Sequence, residues 1–241
     1  MQSVLQAIFP AECLSCRAHI ARGPGSGPGL CGACWRDTAF VAGLCCDHCG
    51  VQLPGQEAQA TLCDDCLSTP RPWARGRAVM TYGGVGRRLI LALKHGDRLN
   101  IARPAGMWMA RAAAPILLPD MVVAPVPLHW TRLLRRRYNQ SALLSRALAR
   151  EAGLDHCPDL LLRRRRTSSQ DGKGRAERAE NLAGAITAHP RRTVRMQGRN
   201  VLLVDDVMTS GATLAEAARA CLEAGAAGVR IVVLARVAKN A

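Results

Sequence analysis

Aromatic side chains are scarce in this chain of 241 residues, and long apolar runs are missing. Phe, Trp and Tyr together make up 3% of the residues, which argues against a nucleic-acid surface built mainly on base-stacking platforms. No apolar run approaches the roughly 20 residues that a helix needs to cross a bilayer. The N-terminus also lacks a basic segment followed by a signal-type apolar stretch. We therefore expect a cytoplasmic protein without membrane insertion.

Acidic residues are few, which leaves the chain strongly basic. The 33 Lys and Arg against 18 Asp and Glu give a formal net charge of +15 and an isoelectric point near 10.2. Residues 130 to 200 hold 17 of the basic residues and 6 of the acidic ones. A merely solvated basic surface is one interpretation, but this clustering favours a polyanion such as nucleic acid, or a phosphorylated ligand.

Cysteine is abundant, and its spacing predicts metal binding. Four Cys-x2-Cys pairs fall within the first 66 residues, and without a secretion signal they indicate metal thiolates rather than disulfides. The predicted ligands of two structural, four-cysteine zinc sites are Cys13, Cys16, Cys31, Cys34, Cys46, Cys49, Cys63 and Cys66. Neighbouring or alternate pairs could share an ion, and Cys45 or His48 could replace a ligand.

The chain divides into two predicted domains. Residues 1 to 70 have little periodicity and crowd Gly and Pro into positions 23 to 29, so metal would have to replace a missing apolar core. Turn and breaker residues at 68 to 76 mark the boundary. Residues 77 to 241 alternate predicted strands with predicted helices, which indicates an α/β fold with a mostly parallel sheet flanked by helices.

The predicted elements of the second domain follow from apolar periodicity and from helix start and stop signals. The strands cover 78–82, 121–124, 200–204 and 229–234, and the helices cover 85–94, 104–114, 139–152 and 213–224.

The run from Asn200 to Thr213 carries the clearest functional signal. Val201 to Val204 predict a strand buried on both faces, and Asp205 and Asp206 would stand at its carboxyl end, where ligands bind in open α/β sheets. A small, hydroxyl-rich turn at 209–213 comes next, just before a helix, so its N–H groups and hydroxyls could surround a phosphate. Paired acids suit vicinal hydroxyls, and the sequence therefore predicts a sugar-phosphate site.

Two further segments could complete that site. Pro125 to Leu128 follows another predicted strand and leads into an Arg-rich stretch that includes Arg132 and Arg136. This stretch has two interpretations: a pyrophosphate site, or a stiff connection beside a solvated basic helix. Residues 163 to 181 are rich in Gly and charge. They could form a lid that excludes water and stabilises a departing anion, or simply a basic loop.

The 200–213 run resembles the phosphoribosyl-pyrophosphate (PRPP) motif of type I phosphoribosyltransferases. The resemblance implies that Asp205 and Asp206, the predicted catalytic pair, bind the ribose hydroxyls, that the following loop binds the 5′-phosphate, and that Mg2+ accompanies the pyrophosphate. The implied phosphate ligands are Val207, Met208, Thr209, Ser210, Gly211, Ala212 and Thr213.

The whole chain resembles the ComF family. The shared motifs are the Cys-x2-Cys pairs, Tyr82-Gly-Gly, Leu93-Lys-His, Pro125-Val-Pro-Leu, Arg-x-Tyr138-Asn-Gln, Thr167-Ser-Ser-Gln170, Arg178-Ala-Glu-Asn181 and the PRPP run. The resemblance implies a zinc finger joined to a phosphoribosyltransferase-type domain that handles single-stranded DNA during uptake, with other DNA-uptake proteins as partners. The implied pyrophosphate or DNA contacts are Arg132, Arg136, Asn139, Gln140, Gln170 and Arg178.

The chain departs from the family pattern at three places. Arg137 stands where the family has Gly, Gln170 to Gly174 lacks the family's apolar lid residue, and Ser210 replaces Thr. Three functions remain open from the sequence: a DNA-handling protein that binds a ribose phosphate, an active phosphoribosyltransferase with an unknown acceptor, and a zinc module that serves only as a protein adaptor.

Overall fold

A five-stranded parallel sheet forms the centre of the computed structural model, which describes residues 11–20, 29–56, 60–96, 98–165 and 182–238. The described strands are β1 (Arg75–Thr81), β2 (Val122–Pro125), β3 (Asp155–His156), β4 (Leu161–Arg163), β5 (Ile186–Ala188), β6 (Asn200–Met208) and β7 (Gly228–Arg236). The described α-helices are α1 (Gly32–Arg36), α2 (Asp64–Leu67), α3 (Gly84–His95), α4 (Ala102–Ala113), α5 (Trp130–Arg136), α6 (Gln140–Ala152) and α7 (Ala212–Glu223). Short 3-10 helices cover Leu99–Ile101, Ala114–Ile116 and Thr193–Arg195.

The sheet has the strand order β1-β7-β6-β2-β3, and β4 pairs separately with β5 as an antiparallel hairpin. Apolar side chains alternate between the two faces of β6. Leu202 and Val204 enter one core with α3, α4 and α6, whereas Val201 and Leu203 enter a second core with α7. Both faces are therefore buried, as expected of a parallel sheet. The predicted α/β class is confirmed.

The structure extends the predicted central strand. All eight predicted strands and helices are present, but β6 continues past residue 204 to Met208. Acidic residues are disfavoured in strands, and the strand predicted from the sequence therefore ends at Val204. Pairing with β7 carries the strand through both aspartates to the Met208–Arg236 pair, whereas pairing with β2 ends at Val204. The short strands β3, β4 and β5 were not predicted.

The cysteine-rich N-terminal part covers the free edge of β1. Phe40 bridges to Met80, the N–H of Val41 donates to the carbonyl of Val79 at 2.9 Å, and the N–H of Gly76 donates to the carbonyl of Asp47 at 2.7 Å. Open sheet edges invite pairing with other chains. This segment therefore completes the sheet rather than standing apart from it.

Aromatic packing also joins the cysteine-rich N-terminal part to α4. The ring of Phe40 lies 4.6 Å from that of Trp35 and 5.9 Å from that of Trp108 on α4. Three of the chain's few aromatic residues thus serve a structural contact. Among the helices that the structure describes, none combines the length and apolar character required to traverse a bilayer.

Candidate functional site

Two aspartates project from β6 at the carboxyl edge of the sheet. Asp206 is only 5% exposed, and its Oδ2 lies 3.1 Å from the Nζ of Lys94 on α3. Oδ1 of Asp205 accepts hydrogen bonds from the Ser141 hydroxyl at 2.8 Å and from the N–H of Asp206 at 2.9 Å. The pair lies where β2 and β6 adjoin and the chain reverses its strand order, which is where open α/β sheets bind ligands.

The environment of Asp205 disfavours its negative charge. Burial, followed by the adjacent charge of Asp206, raises the pKa of Asp205 to about 7, although the hydrogen bond from Ser141 opposes the shift. The carboxyl group therefore changes protonation state near neutral pH. Hydroxyl groups that donate to the carboxylate would stabilise its ionised form, and this matches the chemistry of a sugar diol.

An open pocket adjoins Asp205 at the start of α7, whereas Asp206 does not contribute to its lining. The open pocket of about 210 Å3 is lined by Asp205, by Val207 and Met208, and by residues 209–214. Gly211 has a φ of 82°, and a Cβ there would lie 2.6 Å from Cε of Met208, so the turn requires glycine. The first N–H groups of α7 have no partners within the helix and carry partial positive charge.

The two apolar candidates for phosphate contact belong to the strand. Met208 is 1% exposed and packs in the core, and Val207 is half-buried against the other core. Their backbone can line the pocket, but their side chains fill the protein interior. Ser210 instead presents its hydroxyl oxygen to the N–H of Ala212 at 3.4 Å, which orders the turn.

We call residues 209–213 the anion loop, and two arginines hold its backbone from outside the pocket. Nη1 of Arg71 donates to the carbonyl of Ser210 at 2.8 Å, and Nη1 of Arg236 donates to the carbonyl of Thr209 at 2.6 Å. Both guanidinium groups approach Oδ2 of Asp65, at 2.7 Å from Arg71 and 3.7 Å from Arg236.

Arg163 interacts electrostatically with Asp205 and with a second arginine. Burial, followed by the charge of Arg132, lowers the pKa of Arg163, while the charge of Asp205 opposes this shift. Arg163 is therefore close enough to both Arg132 and Asp205 to feel their charges. Arg136 is half-buried, and its Nε has no hydrogen-bond partner within the described ranges.

The remaining polar candidates occupy different positions. The Oδ1 of Asn139 caps α6 by accepting from the N–H of Ser141 at 3.0 Å, and its Nδ2 donates to the carbonyl of Val126 at 3.0 Å. Both ends of this side chain thus fix the connection between β2 and α6. Gln140 is 3% exposed in the first turn of α6. Gln170 and Arg178 lie outside the described residues, as does the predicted lid beyond residue 165.

The eight N-terminal cysteines form two clusters of four. Neighbouring pairs come together: the first cluster comprises Cys13, Cys16, Cys31 and Cys34, and the second comprises Cys46, Cys49, Cys63 and Cys66. Within each cluster the ligand atoms all lie within 4.8 Å of one another. The first cluster packs into the core beside α3 and α4, whereas the second packs into the core beside α7.

The clusters fit zinc. A tetrahedral site with Zn–S bonds of about 2.3 Å places its sulfurs about 3.8 Å apart, and the Sγ atoms are 3.7 Å apart for Cys16 and Cys31 and 3.6 Å apart for Cys49 and Cys63. Hydrogen bonds from Cys49 and Cys66 lower the pKa of Cys46 despite its burial, whereas the same bonds to Cys46 raise the pKa of Cys49 and of Cys66. Without metal the second cluster therefore favours one thiolate, the form in which cysteine binds metal. With four protein ligands such a site would be structural.

Sequence reasoning missed four side chains that shape the site: Lys94, Ser141, Arg71 and Arg236. Lys94 lies in the Leu93-Lys-His motif, and Arg236 ends an apolar strand at the ligand edge, so each had a signal in the sequence. Arg71 had none, because it lies in the segment that was interpreted only as a boundary.

Two family models match this chain, one in its cysteine-rich N-terminal part and one in its α/β domain. Residues 4–67 match the double zinc ribbon domain, and residues 139–241 match the phosphoribosyl transferase domain. The parallel sheet, the paired acids and the turn at a helix start therefore define a protein of the phosphoribosyltransferase fold that carries a double zinc ribbon.

Relatives that are similar over nearly the whole chain identify its family. The chain is 35% identical over 233 residues to the DNA utilization protein YhgH of Escherichia coli, covering 94% of this chain and 97% of that one. It is 29% identical over 236 residues to competence protein F of Haemophilus influenzae, covering 95% and 98%. The chain belongs to the competence protein F (ComF) family. Among solved structures, glutamine PRPP amidotransferase from B. subtilis is 18% identical with a TM-score of 0.40, and the match covers 60% of this chain but only 30% of that one.

Proposed function

We propose that this protein binds PRPP or a related ribose phosphate at the carboxyl edge of its sheet and binds single-stranded DNA on an adjacent basic surface. In this function the ribose hydroxyls bind Asp205 and Asp206, and the 5′-phosphate binds the anion loop. The protein would act in the cytoplasm. A role in DNA uptake or use is supported by the relatives named DNA utilization protein and competence protein F. The two zinc ribbon sites within residues 1–70 would be structural, and residues 77–241 would bind the ligand.

One observation carries the ribose phosphate assignment: Asp205 and the anion loop line the same pocket, and Asp206 is the next residue of β6, where it pairs with Lys94. Asp205 and the whole of the anion loop contribute to its walls. A carboxylate pair alone would repel a phosphate. Here the acids lie on β6, and the N–H groups that would bind phosphate come after the end of β6, at the start of α7. Arg163, whose charge interacts with those of Asp205 and Arg132, would provide positive charge for the pyrophosphate group together with Arg132, and Mg2+ would enter with that group.

Calorimetric titration tests the assignment. We expect the zinc-loaded protein to bind PRPP with Mg2+ and to bind ribose 5-phosphate more weakly, since the pyrophosphate contacts are lost. Asp206→Asn removes a charge from the ribose contact and should reduce affinity for both ligands. Asp120→Asn, at a turn before β2, is the matched control and should leave both affinities unchanged. Failure of the unmodified protein to bind either ligand would refute the assignment.

The DNA assignment centres on α5, which combines exposed apolar and basic side chains. Trp130 is 62% exposed and Leu134 is 72% exposed, and the ring of Trp130 lies 5.5 Å from that of His129. Arg132 and Arg137 lie on the same short segment. An aromatic platform beside cationic groups suits single strands, whose bases are free to stack while their phosphates pair with arginine.

Fluorescence anisotropy with a labelled single-stranded oligonucleotide tests this surface. Stacking contributes about 1–3 kcal/mol per base, so Trp130→Ala should weaken binding by about tenfold or more. Val194→Ala changes a similarly exposed apolar residue elsewhere and should have no effect. Affinity should also fall steeply with salt, because bound arginines release counterions from the DNA. Binding that is insensitive to both salt and Trp130→Ala would contradict the proposal.

The second candidate function is an active phosphoribosyltransferase. The observation that favours it is the electrostatic interaction of Arg163 with both Asp205 and Arg132, because positive charge beside the ribose contact would stabilise a departing pyrophosphate. Catalysis would then rest on positioning and electrostatics. Release of pyrophosphate from PRPP and Mg2+ in the presence of a base or amine, and its loss in Asp205→Asn, would establish this activity. Ligand binding without pyrophosphate release across purine, pyrimidine and amine acceptors would favour the binding function.

A further inference from the structure

The second cysteine cluster carries an acid inside each of its Cys-x2-Cys turns, and both acids form ion pairs with arginines on β1, on β7 or just before β1. Oδ1 of Asp47 lies 2.8 Å from Nη2 of Arg75 and 2.8 Å from Nη2 of Arg77, both on β1. Oδ2 of Asp65 lies 2.7 Å from Nη2 of Arg71 and 3.7 Å from Nη2 of Arg236. The second cysteine cluster is thus joined to the sheet and to the segment before β1 through two separate ion-pair groups.

The Asp65 group also holds the anion loop. Arg71 and Arg236 use their other nitrogens to donate to the carbonyls of Ser210 and Thr209. The group is well buried, with side-chain exposures of 4% for each arginine and 12% for Asp65. Arg71 also stacks over Trp73, at 5.6 Å from the ring centroid. Buried charge-assisted hydrogen bonds of this kind have well-defined geometry.

These bonds decide which way the loop's amides point. A trans peptide unit is planar, and its C=O and N–H point in opposite directions. Holding the carbonyls of Thr209 and Ser210 toward the arginines therefore turns the N–H groups of Ser210 and Gly211 to the other side. Two successive N–H groups on one side of a turn form an anion-binding concavity.

The first cysteine cluster is bonded to a different part of the protein. Arg88 on α3 donates to the Ser15 hydroxyl at 3.1 Å, and Arg98 donates to the carbonyl of Leu14 at 3.0 Å. Both contacts lie toward α3 and α4, on the face of the sheet opposite to α7.

We propose that Asp65, Arg71 and Arg236 form a clamp through which the second cysteine cluster positions the anion loop for its ligand. The consequence for ligand affinity rests on the function proposed above. The Cys63–Cys66 turn, closed by the bond from the Cys66 N–H to the Cys63 carbonyl at 2.8 Å, fixes the backbone that carries Asp65. Metal bound by these cysteines would hold that turn. All three are positioning residues, since none of them needs to touch the ligand.

The test compares Asp65→Asn with Asp64→Asn in the zinc-loaded, full-length protein. Asp64 is the exposed neighbour of Asp65 on α2 and provides a control with the same change in charge. Three quantities are measured for each protein: the zinc content, the hydrogen exchange of amides 209–213, and the affinity for ribose 5-phosphate. We expect Asp65→Asn to retain its zinc, to exchange these amides about tenfold faster, and to bind about tenfold more weakly, as expected for a weakened charged hydrogen-bond group. The control should match the unmodified protein.

The outcomes separate the clamp from the proposed function. Unchanged exchange at 209–213 in a zinc-loaded Asp65→Asn protein would overturn the clamp. If the unmodified protein does not bind ribose 5-phosphate, the proposed function fails, but the exchange data still decide whether the clamp exists. If Asp65→Asn does not fold, Arg71→Lys replaces it, because lysine keeps the charge but cannot reach Asp65 and Ser210 with separate nitrogens. Normal exchange in that variant would equally refute the clamp.

Discussion

Replacing Asp205 with asparagine should make the protein more stable and less able to bind its ligand. The carboxyl group ionises against burial and against the neighbouring charge of Asp206. Asparagine removes the charge but keeps an oxygen that can accept the bonds from Ser141 and from the Asp206 N–H. The substitution therefore measures the cost of ionising a buried carboxyl group beside a second acid at the ligand edge.

The magnitude follows from the pKa. The pKa of Asp205 rises from 3.8 to about 7 on folding, so the unfolded chain loses this proton at lower pH than the folded protein does. Stability should consequently fall as pH rises from about 4 to about 7 and then level off. At 1.36 kcal/mol per pKa unit, the full effect is about 4 kcal/mol. We expect Asp205→Asn to gain about 2 to 4 kcal/mol at pH 8, and less at pH 5.5.

Urea unfolding between pH 5.5 and 8, followed by circular dichroism in the presence of zinc, measures this difference directly. Asp159→Asn is the control, because burial is outweighed there by Arg192 and the pKa of Asp159 is lowered. That variant should gain no stability as pH rises. A stability difference between Asp205→Asn and the unmodified protein that does not change with pH would refute the electrostatic reasoning.

Three further substitutions probe single features of the fold, each by urea unfolding. Lys94→Met leaves buried Asp206 without its cation at 3.1 Å and should destabilise by about 3 kcal/mol; adding Asp206→Asn should restore most of the loss. Gly211→Ala forces a side chain into a left-handed turn against Met208 and should cost about 1–2 kcal/mol or more, whereas Gly32→Ala, where nothing lies within 4 Å, should be nearly neutral. Arg137→Gly relieves a φ of 64° at the end of α5 and should stabilise by up to about 1 kcal/mol, whereas Arg136→Gly inside that helix should destabilise by about 1 kcal/mol. An effect of opposite sign in any of these would contradict the stated cause.

Features encoded by neighbouring residues could be predicted from the sequence. Asn139 and Gly153 bound α6 as its N-terminal and C-terminal caps, as their residue types indicate. The apolar runs of β2, β6 and β7 were likewise visible, because strands buried on both faces need continuous apolar side chains.

Features that depend on distant residues could not be predicted. The spacing of the Cys-x2-Cys pairs allowed several pairings, and only the folded chain shows that neighbouring pairs meet. Arg71 reaches the carbonyl of Ser210 across 139 residues of sequence, and no local pattern encodes such a contact. The left-handed conformation of Arg137 shows why a glycine suits this position in the family pattern.

The segment along β1 has a consequence for handling the protein. β1 is seven residues long, and its five central residues are buried. Its outer edge is closed by residues 39–41, which lie between the two cysteine clusters, and by Asp47, which lies inside the second. Strong chelators or oxidants would release that covering and leave a bare, apolar edge able to recruit identical strands. Precipitation should therefore precede loss of the helical signal when the metal is stripped, and purification should avoid both kinds of reagent.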